Sequence, residues 1–160
     1  MSNEAVRRYG VASREEIAGL SGREVLERII DRRLPSPPIS RQLTFDIVEV
    51  GEGTAAFEGE TGEHLLNPAG SVHGGWALTL IDSAAGCAAY TLLPADVAYT
   101  TVETKANFSR PIMADSGRVR CEARVVSRGR QIISCEATIK NAEGKIVAHG
   151  TSTLMVLNGR

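Results

Sequence analysis

The sequence predicts an α+β layer fold, in which a β-sheet wraps one long buried helix and a shorter helix precedes them. Three observations lead there. Residues 72–93, VHGGWALTLIDSAAGCAAYTLL, are rich in Ala and Leu and apolar on nearly every side, which suits a buried helix and is too long and Ala-rich for a strand. Residues 97–109, 117–126, 131–140 and 145–157 alternate apolar with polar positions or are rich in Thr and Val, as strands do. A helix too apolar to face water needs a covering layer, and these strands supply it.

The elements follow in order. Residues 1–12 read as loosely held. Ser13 with Glu16, and Ser21 with Glu24, have the spacing of capping boxes. Val25, Leu26, Ile29, Ile30 and Leu34 then form a one-sided stripe, predicting an amphipathic helix over 22–34 that Pro35, Pro37 and Pro38 stop. Residues 41–50 read as a strand through Leu43, Phe45 and Ile47, and 54–60 as its hairpin partner across Gly51-Glu52-Gly53. Residues 61–71 have loop chemistry. The expected division is an N-terminal extension over 1–40 and one main domain over 41–160.

Within the long helix the polar residues are not scattered. Thr79, Asp82, Ser83 and Gly86 fall at i, i+3, i+4 and i+7, on one narrow stripe, and Pro94 ends the helix. Among the later strands, Val119, Cys121, Ala123 and Val125 share one face, with Arg118, Arg120, Glu122 and Arg124 on the other. Trp76 reads as core, and the small residues Ala84, Ala85, Gly86, Ala88 and Ala89 as a surface for close packing on the sheet.

Length and charge exclude several classes. The 160 residues fit one domain, and a net charge of -1 with a pI near 6.3 gives no reason to expect a nucleic acid or an anionic membrane as partner. Cys87, Cys121 and Cys135 form no CxxC pair and read as buried thiols in a reducing compartment. The polar N-terminus lacks the apolar centre of a signal peptide, so the expected location is the cytoplasm. There is no G-x-S-x-G elbow, P-loop or dinucleotide fingerprint, and His64, His73 and His149 lack metal-triad spacing. No metal and no cofactor are expected.

Asp82 admits two readings. A carboxylate amid an apolar helix is costly unless it is paired, hydrated or useful, so it is either an ordinary hydrogen-bonded core acid or a functional one. His73-Gly74-Gly75 likewise reads either as a Gly-rich turn or as a ligand-approach point, because a helix N-terminus offers unpaired N–H groups and a partial positive charge that can hold an oxyanion. Gly74 and Asp82 lie eight residues apart on one helix, about 12 Å at the usual rise. One helix cannot bring both to a single carbonyl carbon, whereas a site shared across a dimer can.

Asn67, Gly70, His73, Gly74, Gly75 and Asp82 together read N-x-x-G-x-x-H-G-G-x-x-x-x-x-x-D. This resembles the signature of the PaaI-like thioesterases, a branch of the hotdog superfamily. Asn107-Phe108-Ser109-Arg110-Pro111 is similar to that family's aromatic-x-x-Pro segment after the third strand. The resemblance spans about residues 40–157. It implies a five- or six-stranded antiparallel sheet around the long helix, and homodimers joined edge to edge, often paired into homotetramers. It also implies an acyl-CoA substrate and a site shared by two protomers. In that site Gly74 N–H polarises the thioester carbonyl, and Asp82 of the partner acts as general base or nucleophile. Asn67 positions substrate or water, His73 lies beside the thioester, and Thr101 matches a hydroxyl that holds the attacking water.

Gly75 and Ser83 are candidate substrate contacts, Ser83 also reading as a packing residue, since neighbours on a helix do not face one another. Arg110, Arg128 and Arg130 are candidates for the CoA phosphates, with Lys105 behind them. The alternative for each is a solvated surface cation. Two rival functions stay open. A non-catalytic acyl-CoA-binding module shares pocket walls with an enzyme. A hotdog hydratase has less support, because no Asp here has His five residues later, and a dehydratase pairing His73 with Asp82 stays open without further support.

Overall fold

The computed structural model describes residues 6–157. Both capping boxes form, opening α1 (Arg14–Ile17) and α2 (Gly22–Ile30). The α2 helix ends four residues before the stripe does. Arg32 takes a left-handed φ of 63°, and the N–H groups of Arg33 and Leu34 both donate to Arg28 C=O, at 2.8 and 2.9 Å. That closure satisfies the helix end and still buries Leu34 against the fold.

The prolines start a helix as well as stopping one. Pro38 occupies the first turn of α3 (Pro38–Gln42), where its missing N–H costs nothing. Arg41 and Gln42, expected in a strand, are therefore helical, and β1 begins only at Phe45 (Phe45–Gly51). The part of the expected loose segment that is described, from residue 6, is tied down: Gly10 N–H donates to Ser36 C=O and Ser36 N–H to Arg8 C=O, each at 2.9 Å. Arg7 also pairs with Asp46 on β1. Residues 1–5 lie outside the described residues.

β2 (Thr54–Glu60) completes the hairpin, and a short 3-10 turn at Glu63–Leu65 leads to α4 (Gly74–Tyr90). Then follow β3 (Ala98–Phe108), β4 (Arg118–Arg128), β5 (Ile132–Lys140) and β6 (Ile146–Leu157). The six strands form one antiparallel sheet in the order β1-β2-β4-β5-β6-β3, so β3 is an edge. All six strands touch α4. Leu80, Ile81, Ala84 and Ala88 of the helix meet Phe57, Cys121, Ile139 and Ala148 of the sheet in one core, which Leu26 of α2 joins. Trp76 is buried there, and its Nε1–H donates to Leu43 C=O at 2.7 Å.

Cys121 and Cys135 are buried as expected, Cys87 only half so, and all three are free thiols. No helix among the described residues is long and apolar enough to cross a membrane. The outer sheet face carries Arg118, Arg120, Arg124 and Lys140, paired with glutamates of its own and neighbouring strands. A concavity of about 460 Å³ on that face is lined by Arg120, Arg124, Lys140, glutamates paired with them and alanines. It lies across the sheet from Asp82 and holds none of the candidate residues.

Candidate active site

His73 caps α4. Its extended backbone (φ -60°, ψ 130°) turns the ring so that Nδ1 accepts from Gly75 N–H at 2.9 Å. Gly75 N–H is thus occupied. Gly74 occupies the first position of the helix, where geometry provides no intrahelical acceptor for its N–H, at the positive end of the helix dipole. The loop before it is braced by Asn67, whose Oδ1 accepts from Ala69 and Ser71 N–H (2.9 and 3.3 Å) while Nδ2 donates to Ser71 Oγ at 3.0 Å. Gly70 turns that loop with a φ of 83°.

The polar stripe of α4 faces the edge strand β3. The Phe108 ring lies against Gly74, Tyr99 Oη lies against Gly86, and Asp82 stands between them beside Thr101 and Thr104. Both threonine hydroxyls donate to the same oxygen, Asp82 Oδ1, each at 2.9 Å. Thr104 Oγ1 also lies 2.9 Å from Ser152 Oγ, which in turn donates to Glu103 C=O at 3.1 Å. Ser83 is half-buried beside Asp82.

Thr101 was marked out in the sequence, but Thr104 was not. Strict alternation places residues three apart on opposite faces of a strand. A bulge between Thr101 and Glu103 inserts Val102 and resets the alternation, so that Thr101 and Thr104 both face the helix. Nearby thiol and phenol groups stay neutral. Burial, and then the Asp82 charge, push Cys87 up to about 12. Burial, followed by several neighbouring charges, holds Tyr99 well above the usual phenol range.

The cation candidates are not gathered in one protomer. Arg110 lies just beyond Phe108, at the Gly74 end of α4, and Nη1 donates to Ile146 C=O at 2.5 Å. Arg128 and Arg130 are exposed around the β4–β5 turn. Val125 N–H donates to Gly53 C=O at 2.8 Å, and Gly53 packs on Leu92, so that turn lies at the other end of α4, about 25 Å away for 17 residues. Lys105 is exposed on β3. Among the described residues no three His, Cys, Asp or Glu side chains cluster to hold a metal ion.

The helix therefore offers an open N–H at one end and, two turns on, a carboxylate with one oxygen held by hydroxyls. A six-stranded antiparallel sheet wrapped on such a helix defines a hotdog protein. The model of the thioesterase superfamily matches residues 69–148, from the loop before His73 into β6. A conserved protein of Pseudomonas aeruginosa is 33% identical, with a TM-score of 0.70 over 75% of this chain and 94% of its own. The chain belongs to the thioesterase superfamily, as a member of its PaaI-like hotdog branch. The PaaI protein from the phenylacetic acid degradation operon of E. coli is 26% identical, with a TM-score of 0.69 over 76% of this chain and 85% of its own. A Streptococcus mutans protein bound to acetyl CoA is 25% identical, with a TM-score of 0.65 over 73% of this chain and 91% of its own.

Proposed function

We propose that this protein hydrolyses an acyl-CoA thioester to the free acid and CoA, in a site shared by two copies of the chain. The observation that carries the reading is Asp82, an acid amid an apolar helix whose Oδ1 is held by two hydroxyls. Its other oxygen, Oδ2, then takes a proton from water as the water oxygen attacks the thioester carbonyl carbon. Gly74 N–H of the other copy holds the developing oxyanion. The C–S bond breaks, and the thiolate leaves with the proton that Asp82 took. As nucleophile, Asp82 would instead form an anhydride that water opens.

The edge strand β3 supports the sharing. It presents an unpaired row of backbone groups beside the polar stripe of α4. Antiparallel pairing of two such edges brings the Gly74–Phe108 end of one copy toward Asp82 of the other. It also brings the partner's Arg128 and Arg130 toward Arg110, where CoA phosphates would meet them. The relative bound to acetyl CoA favours that substrate class. Residues 41–160 carry the chemistry in this reading, and 1–40 serve as an extension. Three unpaired thiols suit the cytoplasm.

The test is free-thiol release from short, medium, long and aromatic acyl-CoAs, with Asp82→Asn alongside. Turnover that disappears in a folded Asp82→Asn supports the reading and names the acyl class. Turnover that survives the substitution rejects Asp82 as base. No release from any member, with ligand-induced thermal stabilisation, rejects hydrolysis in favour of a binding module.

A further inference from the structure

We propose that Thr104 is a positioning residue for Asp82: backed by Ser152, it pins Oδ1 and leaves Oδ2 as the oxygen that meets the water. The inference rests on Asp82 acting as general base.

The bulge at Val102 is the first support. It interrupts the β3–β6 ladder at Val102, which is unfavourable locally. Uninterrupted alternation from Thr101 would turn Glu103 inward, setting a second carboxylate against Asp82. Like charges so placed oppose ionisation of the pair. With the bulge, Glu103 stays outside and the hydroxyl of Thr104 takes that place.

The proton inventory is the second. An ionised carboxylate only accepts, so Thr104 spends its single proton on Asp82. The 2.9 Å contact with Ser152 must then be donated by Ser152, which shares its proton between Thr104 and Glu103 C=O. The chain runs Ser152 to Thr104 to Asp82, and hydrogen bonds in series strengthen one another. Ser152 is 1% exposed and pairs with Glu103 C=O at the bulge itself, so the relay is fixed to the sheet. The third support is convergence. Two donors meet on Oδ1, and among the described residues no protein group is bonded to Oδ2. A carboxylate held this way cannot rotate to exchange its oxygens without breaking both bonds.

The experiment compares thiol-release kinetics of Thr104→Val, Thr104→Ser, Ser152→Ala and Asp82→Asn with the native protein, each checked by thermal melting. Thr104→Val keeps the shape and removes the hydroxyl. It is expected to lower kcat about 10- to 100-fold with KM changed by about twofold or less. Thr104→Ser should recover kcat to within about threefold. A native kcat in Thr104→Val, a change confined to KM, or a Thr104→Ser as slow as Thr104→Val would each overturn the assignment. Should Thr104→Val fail to fold, Ser152→Ala decides, with a fall of about 3- to 10-fold in kcat expected and none overturning it. An active Asp82→Asn removes the base reading and this inference together. A dead Asp82→Asn beside a native Thr104→Val removes the positioning role alone.

Discussion

The Phe108 ring rests on the backbone of Gly74: a β-carbon there would stand 3.1 Å from Cζ and 3.4 Å from Cε1 and Cε2. The ring is 57% exposed, so it can yield outward, but in place it closes one side of the helix N-terminus. The contact narrows the approach to Gly74 N–H, and the missing side chain keeps that approach from closing further.

The role of that N–H can be tested without disturbing the helix. Proline is at home in the first helical position, and His73 already has the extended backbone that a following proline demands. Gly74→Pro therefore deletes one donor and keeps α4. Thiol release is expected to fall about 10²- to 10³-fold with unchanged circular dichroism. Gly74→Ala retains the N–H and crowds the exposed Phe108 ring, so its loss should be smaller, about tenfold. A native rate in Gly74→Pro would show that this N–H stabilises nothing in the reaction.

Cys87 is the only half-buried thiol and lies one turn beyond Asp82. Burial and the carboxylate push it up to about 12, which leaves a thiolate fraction of about 10⁻⁴ or less near neutral pH. Treatment with iodoacetamide at pH 7.5 should leave hydrolysis intact, and Cys87→Ala should turn over at the native rate. Rapid inactivation that Cys87→Ala abolishes would identify a reactive cysteine instead.

The helix that carries the site was legible because composition alone forces α4 inside, and its polar stripe marked the face turned to β3. What escaped was set by backbone events that no periodicity encodes. One inserted residue, Val102, moved Thr104 onto the face of Thr101. Pro38 turned Arg41 and Gln42 into the last turn of α3, although Leu43, Phe45 and Ile47 alternate as a strand would. Arg32 adopted a left-handed conformation and closed α2 early, while Leu34, the last residue of the stripe, stayed buried. The arginines differ again: nothing in sequence separation tells that Arg110 and Arg130 lie at opposite ends of one helix.

Gly59 tests the packing beneath the site. A β-carbon there would stand 2.7 Å from Trp76 Cζ2, 3.0 Å from Cη2 and 3.4 Å from Leu80 Cδ1. The indole cannot swing aside, because Nε1 is bonded to Leu43 C=O. Gly59→Ala should destabilise the fold by about 1–3 kcal/mol through overpacking. Chemical denaturation would read this as a lower midpoint at constant slope, and an unmoved midpoint would mean that β2 shifts freely on the helix.

The Arg7–Asp46 pair predicts a pH-dependent difference between variant and native protein. Burial raises Asp46 above the usual carboxylate value of 3.8, and Arg7, the largest opposing influence, lowers it. A carboxyl raised in the folded state binds its proton more tightly there than in the unfolded chain. Its effect on stability is therefore favourable at low pH, and stability declines as pH rises from 3.8 through the raised folded value. Removing Arg7 leaves only the weaker influence of Arg32 to oppose burial of the charge and widens that window upward. Arg7→Ala should thus melt only slightly below the native protein at pH 4 and clearly below it at pH 7, by about 1 kcal/mol more. Melting curves at both values check this. Equal differences at pH 4 and 7 would mean that Arg7 stabilises through its hydrogen bond to Ser36 Oγ, at 3.0 Å, and not through the charge of Asp46.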